Sequence, residues 1–263
     1  MRAVPPLVMG VLNVTPDSFS DGGRWFEPEA AVAHGLAMVA EGADVVDVGG
    51  ESTRPGAEPV DEAEERRRVV DVVAALASHV RVSIDTRKRS VAEAAVEAGA
   101  TLVNDVSASL WPVAAESGTG WVAMHMQGDP RTMQAAPSYG DVVADVRRFL
   151  LHRAEEAQAA GVGEVWIDPG VGFGKTVAHN LVLLRHLADL VATGYPVLVG
   201  TSRKSFLGRL LARPGSDEPT PVEDRLEGSL ATAVWAMTHG AAMVRAHDVR
   251  PTVVAARLVG EEV

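Results

Sequence analysis

Hydrogen-bonding side chains recur in this sequence at one kind of place, directly after a short apolar run. In chain order they are Asn13; Asp47 and Glu51; Asp85; Asn104 and Asp105; His125; Asp168; Ser202, Arg203 and Lys204; then Arg245 and His247. Asp85, Asn104 and Asp168 are carboxylate or amide groups that could accept paired N–H bonds from an aminopyrimidine-like edge. Arg54, Arg203, Lys204, Arg245 and His247 are cationic or can become so, and together could bind a phosphate-bearing substrate. Asn13 offers a neutral oxygen suited to a magnesium ion held mostly by substrate phosphates. Each residue alone has a plainer reading, because an Asp after a strand often caps the next helix, as SIDTRKRS and NDVS allow. Repetition at every strand end favours convergence on one polar site. No strong general base and no nucleophile–base pair stands out.

Two motifs fail on inspection. DPGVGFGKT resembles a phosphate loop, but Pro169 stands where that pattern needs its first glycine. Lys175 likewise occupies the last glycine position of a G-x-G-x-x-G fingerprint. Cysteine-bound zinc is excluded because there is no cysteine, and the histidines lack H-x-x-x-H spacing. The stretch NVTPDSFSDGG, Asn13 to Gly23, is a different matter: small, polar and glycine-containing, it should form a surface loop. Phe19 is its odd member, with Asp21 close by. If the loop follows a barrel strand, it belongs to the catalytic rim and reads as a lid, with Asn13 its fixed end and Phe19 its moving end.

The elements that must position these residues are visible as periodicity. Buried strands are expected at Leu7–Leu12, Asp44–Val48, Val80–Ile84, Thr101–Asn104, Trp121–Met124, Glu164–Ile167, Val197–Gly200 and Met243–His247. Segments with apolar spacing near 3.6 lie between them, at Glu27–Glu41, Asp61–Ser78, Lys88–Ala98, Tyr139–Ala160, Val177–Thr193, Arg203–Ala212 and Pro221–His239, and a last one runs from Arg250 to Val259. The interval Val106–Gly120 holds Trp111-Pro112 and has room for a helix of two turns at most. Glycine closes several helices, as in EGADVV and THGAAMV. Eight strands alternating with helices indicate an α/β fold, a (β/α)₈ TIM barrel forming a single domain over residues 1–263. A doubly wound sheet is the alternative, since alternation alone does not show closure. ARPGSDEPTPVEDR, Ala212 to Arg225, is read as a surface loop inside one β/α unit.

Bulk properties agree with this architecture. At 263 residues with few aromatics, the core must be built mostly from Val, Ala and Leu. A net charge of −11 argues against nucleic acid as a partner, although a local basic pocket can still hold a small anion. No apolar stretch approaches the length of a membrane span, and no signal peptide is read at the first residues. A cytoplasmic enzyme or binding protein with no membrane partner is the expected class.

Taken together, MGVLNVTPDSFSDGG, VVDVGGESTRPGA, VSIDTRK, VNDVS, MHMQGDPRTMQ, DPGVGFGK, LVGTSRKSFLG and VRAHDVR give the chain its resemblance. In order and from end to end, they make it similar to the dihydropteroate synthase family, pterin-binding (β/α)₈ enzymes of folate biosynthesis. The resemblance implies a transferase that joins 6-hydroxymethyl-7,8-dihydropterin diphosphate to p-aminobenzoate, releasing diphosphate, with Mg2+ as cofactor. It implies that Asp85, Asn104, Asp168 and Lys204 hold the pterin ring with Arg245 against it. Met124 and Phe173 would be apolar walls, and Gly200 would allow close approach. Asn13 would ligate magnesium, while Thr53, Arg245 and His247 would contact the diphosphate. Phe19, Arg54, Pro55, Lys204 and Ser205 would shape the p-aminobenzoate site. The catalytic set so implied is Lys204, Arg245, His247, Phe19 and Asp21. The family also implies a homodimer, formed through helices of the C-terminal half, and is a sulfonamide target.

The chain departs from the family pattern after NDVS, where ASLWPVAAESGTG is shorter by several residues and puts the fourth helix in question, though not Asn104. Ala246 also replaces a more usual branched residue between Arg245 and His247. Two rival functions are a methyltransferase acting on methyltetrahydrofolate and a pterin-binding paralogue without turnover. The first would not need SRKS or the TPDSFSDGG loop, and the second would be expected to have lost them.

Overall fold

The computed structural model of the chain describes residues 5–15, 28–52 and 58–260. Eight parallel strands line up in the order β6-β5-β4-β3-β2-β1-β8-β7. They are β1 (Leu7–Asn13), β2 (Val45–Gly49), β3 (Arg81–Asp85), β4 (Leu102–Asp105), β5 (Gly120–Met124), β6 (Val165–Asp168), β7 (Leu198–Gly200) and β8 (Met243–Ala246). A parallel bridge between Ile167 and Val197 joins β6 to the residue before β7 and closes the ring. That closure decides for a barrel over an open doubly wound sheet.

Outside the ring run α1 (Pro28–Glu41), α2 (Glu62–Leu76), α3 (Arg89–Glu97), α4 (Trp111–Ser117), α5 (Val142–Ala159) and α6 (Val177–Arg185). They continue as α7 (Leu187–Val191), α8 (Ser205–Leu210), α9 (Leu226–Thr238) and α10 (Val249–Gly260). The segment expected as one helix over Val177–Thr193 is two, separated at His186, whose φ of −103° and ψ of 24° leave the helical region. Residues 221–225 do not continue α9 upstream; Val222–Asp224 form a separate 3-10 turn. The shortened fourth unit folds compactly. Pro112 stands in the first turn of α4, where a missing N–H costs nothing, so Trp111-Pro112 starts this helix instead of breaking it.

Strand side chains alternate between two environments. Outward residues such as Val46, Val48, Ile84, Val103, Trp121 and Ile167 join the apolar layer beneath the helices. Inward residues fill the ring in tiers. At the N-terminal end, Arg81 makes a two-pronged pair with Glu164 at 2.7 and 2.9 Å, and Trp166 Nε1 donates to the same carboxylate at 2.6 Å. Met9, Val45, Leu102, Val122, Trp166, Leu198 and Met243 form a buried apolar tier above it. The inward positions beyond that tier, toward the C-terminal ends, are polar. Among the described residues no helix is long and apolar enough to cross a membrane.

Candidate active site

Asp47 lies at the centre of the upper tier and is completely buried. Its Oδ2 accepts from Arg245 Nε at 2.6 Å and from Asn104 Nδ2 at 2.9 Å. The second prong of the Arg245 guanidinium reaches Asp85 Oδ2 at 2.7 Å. Parallel register explains why these residues meet: Asp47 lies opposite Ser83, Gly49 opposite Asp85, and Asp85 opposite Asn104, so successive strands offer inward groups at matched heights. Asp47 Oδ1 and Ser83 Oγ are buried with no hydrogen-bond partner among the described residues. Burial pushes the Asp85 carboxyl above the usual carboxylate range, and the nearby Asp47 charge adds to this while Arg245 opposes it.

Across the mouth from this cluster stands Asp168, the last residue of β6, in register with Met124 at the end of β5. Both are buried. Burial raises the Asp168 carboxyl, opposed first by Lys204 and then by the Gly170 N–H, which donates to Oδ1 at 2.7 Å. Lys204 precedes α8 and donates to the Val171 carbonyl at 2.5 Å, with its Nζ 4.7 Å from the Phe173 ring centroid. Burial lowers the Lys204 ammonium to about 8, with Asp168 resisting and Arg245 assisting. Gly200 ends β7, and a Cβ built there would stand 3.6 Å from Arg245 Cβ and 3.7 Å from Lys204 Nζ, between the two cations. The chain thus gathers Asp85, Asn104, Asp168, Met124, Phe173, Gly200, Lys204 and Arg245 around one opening at the C-terminal ends of the strands. Together they offer acceptors for a polar heterocycle, apolar walls and fixed cations.

Asn13, half-buried at the end of β1, is level with Gly49 on the same rim. His247 follows β8; its backbone N–H donates to Ser202 Oγ at 3.1 Å, and its Nδ1 lies at the same distance from that oxygen. Ser205 is exposed at the start of α8. Phe19, Asp21, Thr53, Arg54 and Pro55 lie outside the described residues.

Several residues read as rim ligands have other partners. Arg203 directs its guanidinium at Asp248, with contacts of 2.5 and 3.0 Å, so it is paired within the protein and does not join Lys204 as a bare cation. Glu51 pairs with Arg87 and Lys88. Asp105 is fully buried on the outer side of β4, where it accepts from the N–H groups of Ser109 and Leu110, each at 2.6 Å, and from Trp121 Nε1 at 3.2 Å. It therefore builds the β4–α4 connection. His125 is buried beside Lys175 rather than presented to the mouth. Two residues matter more here than in the sequence reading: Asp47, which unites Arg245 and Asn104, and Lys175, buried under the β6–α6 loop. The parity of β2 could have marked Asp47, since it shares the inward face with Gly49.

Known proteins resemble this chain along nearly its whole length. The family model described as pterin binding enzyme matches residues 9–247. The dihydropteroate synthase of Mycobacterium leprae is 52% identical over 274 residues, covering 99% of this chain and 94% of the relative. The structure of Yersinia pestis dihydropteroate synthase in a sulfonamide drug complex superposes with a TM-score of 0.89 at 46% identity, covering 97% of this chain and 93% of that one. The Xanthomonas albilineans enzyme in complex with 7,8-dihydropteroate gives a TM-score of 0.84 at 44% identity, covering 97% and 92%.

Proposed function

The chain belongs to the pterin binding enzyme family, and from that premise we propose that it acts as a dihydropteroate synthase, a transferase. It condenses 6-hydroxymethyl-7,8-dihydropterin diphosphate with p-aminobenzoate to give 7,8-dihydropteroate and diphosphate. One observation carries this reading: Asp47, Asn104, Arg245 and Asp85 form a single hydrogen-bonded cluster at the mouth, facing Asp168 and Lys204. Asp85, Asn104 and Asp168 accept from the N–H edge of the pterin, and Lys204 donates to its carbonyl side. Met124 and Phe173 close on its faces. Arg245, His247 and Thr53 take the diphosphate, and Phe19, Arg54, Pro55, Lys204 and Ser205 receive the arylamine.

In the reaction the C–O bond to diphosphate breaks, and its electron pair leaves with the phosphate oxygen. The lone pair of the arylamine nitrogen forms the new C–N bond at the pterin methylene. The proton that the nitrogen then sheds needs no dedicated base, because an alkylated anilinium is strongly acidic in water. Carboxylates beneath the ring stabilise the positive charge that develops as the bond breaks, and fixed cations stabilise the departing anion. Phe19 and Asp21, on the loop after β1, belong to this step as the cover that keeps water from the cationic carbon.

The donor set on the rim fits magnesium. Asn13 gives a neutral amide oxygen, a ligand that suits an ion held mostly by substrate phosphates. Bound there, the ion would offset charge on the diphosphate.

The deciding experiment supplies the purified protein with pterin diphosphate, p-aminobenzoate and magnesium. Equal amounts of diphosphate and dihydropteroate are expected. Diphosphate without coupled product, or neither, contradicts the assignment, and methyl transfer from methyltetrahydrofolate points to the rival enzyme.

A further inference from the structure

Lys175 is 2% exposed, yet nothing in the proposed chemistry uses it. Its Nζ lies within hydrogen-bonding distance of four acceptors: His125 Nδ1 at 2.9 Å, His125 O at 3.2 Å, Gly170 O at 3.0 Å and Phe173 O at 3.0 Å. Two of these belong to the loop after β5 and two to the loop after β6. Desolvation is its dominant electrostatic influence, lowering the ammonium to about 7, while Asp168 opposes the shift and Lys204 adds to it. The His125 ring is kept neutral by burial, down to about 3, and is held edge-on by Phe149 at 5.0 Å. A neutral imidazole can accept at Nδ1, which is what an ammonium opposite it requires.

The two loops are in backbone contact along their length. A Cβ at Gly170 would lie 1.8 Å from His125 O, and one at Gly174 would lie 2.2 Å from Gln127 O; both glycines also have positive φ, +63° and +61°. No other residue fits either position. Further ties run from the first loop to the second: Gln134 Nε2 donates to Gly172 O at 2.6 Å, and Tyr139 Oη to Gly174 O at 2.8 Å. The clamped segment is the one that presents Val171 O to Lys204 and sets Phe173 beneath the same ammonium.

We propose that Lys175 is a positioning residue: it locks the loop after β5 to the loop after β6 and so fixes Val171, Phe173 and, through them, Lys204 against the heterocycle. The strut stands on geometry alone; the identity of the ligand rests on the pterin-binding reading. Phe173 and the Val171 carbonyl face the pterin, whereas of the arylamine residues only Lys204 and its neighbour Ser205 lie near the strut, so its loss should be felt mainly on the pterin side.

The test is Lys175→Met, read by amide hydrogen exchange over residues 170–174 and by steady-state kinetics. Faster exchange is expected, with kcat/KM for pterin diphosphate falling by roughly 10- to 100-fold, as an ångström-scale misplacement produces. KM for p-aminobenzoate should change less, because only Lys204 carries the effect to that side. A folded variant with wild-type exchange and wild-type kcat/KM for the pterin overturns the proposal, as does a loss spread equally over both substrates. Tyr139→Phe and Gln134→Ala remove the neighbouring ties and should give smaller losses, again mainly on the pterin. If Lys175→Met does not fold, these two decide, and wild-type behaviour in both overturns the proposal. A wild-type protein that makes no dihydropteroate would undo the functional reading, while the exchange measurement would still judge the strut.

Discussion

Lys204 donates to Val171 O, faces the Phe173 ring and lies near enough to Asp168 and Arg245 to feel both. Only its ammonium form is a full donor and a positive charge. With the ammonium lowered to about 8, raising the pH through that value removes the charge, whereas below it the residue is fully protonated. The contribution of Lys204 to kcat/KM for pterin diphosphate is therefore expected to fall as the pH rises through about 8, since this ratio reports groups of the free enzyme. Lys204→Ala should lower turnover by about 100-fold with the fold intact by circular dichroism, and should lose the alkaline limb. Near-normal rates in that variant would remove Lys204 from the site. Residue identity alone did not separate Lys204 from Arg203, its neighbour. One meets the binding cluster, and the other is satisfied by Asp248, a partner 45 positions away that no local pattern announces.

Elements explain such divisions through parity. Asn104 and Asp105 are adjacent at the end of β4, and pleating sends the first into the ring and the second outward. Asp105 there gathers the N–H groups of Ser107, Ser109 and Leu110, the Ser107 hydroxyl and the Trp121 indole. Asp105→Ala leaves these donors buried or strained, and should cost about 3 kcal/mol in urea unfolding while pterin affinity changes little. A variant of wild-type stability would show that the β4–α4 connection has another anchor. Strand positions were legible because buried parallel strands read as short apolar runs, and every one was located to within a residue or so at each end. Less legible were breaks that depend on packing. The split at His186 carries no proline or glycine, and apolar spacing on either side of it continues as though one helix were present. The strut from Lys175 was legible only as a failed phosphate loop: its glycines do bring backbone close to something, but that something is His125 and Gln127, not an anion.

At the scale of the whole molecule, the outer surface is uneven. Leu181 of α6, Leu210 of α8, Leu211 just beyond it and Trp235 of α9 are 38, 46, 40 and 44% exposed. They lie on neighbouring elements: Trp235 Nε1 donates to Leu184 O at 2.9 Å, and Leu211 meets α9 at Gly228. We propose that this group meets a second copy of the chain, as the family resemblance implies. Light scattering during gel filtration should give twice the chain mass, and Trp235→Glu should halve it; a monomeric wild-type protein would dismiss this face. Within the molecule, the apolar tier formed by Met9, Val45, Leu102, Val122, Trp166, Leu198 and Met243 lies between the Arg81–Glu164 pair and the polar mouth. The barrel is thereby a cup with one opening. Whatever settles deepest must enter before anything above it and depart after it, so the order of traffic is written into the shape. An inhibitor of the upper position would hold the lower ligand in place and lengthen its residence.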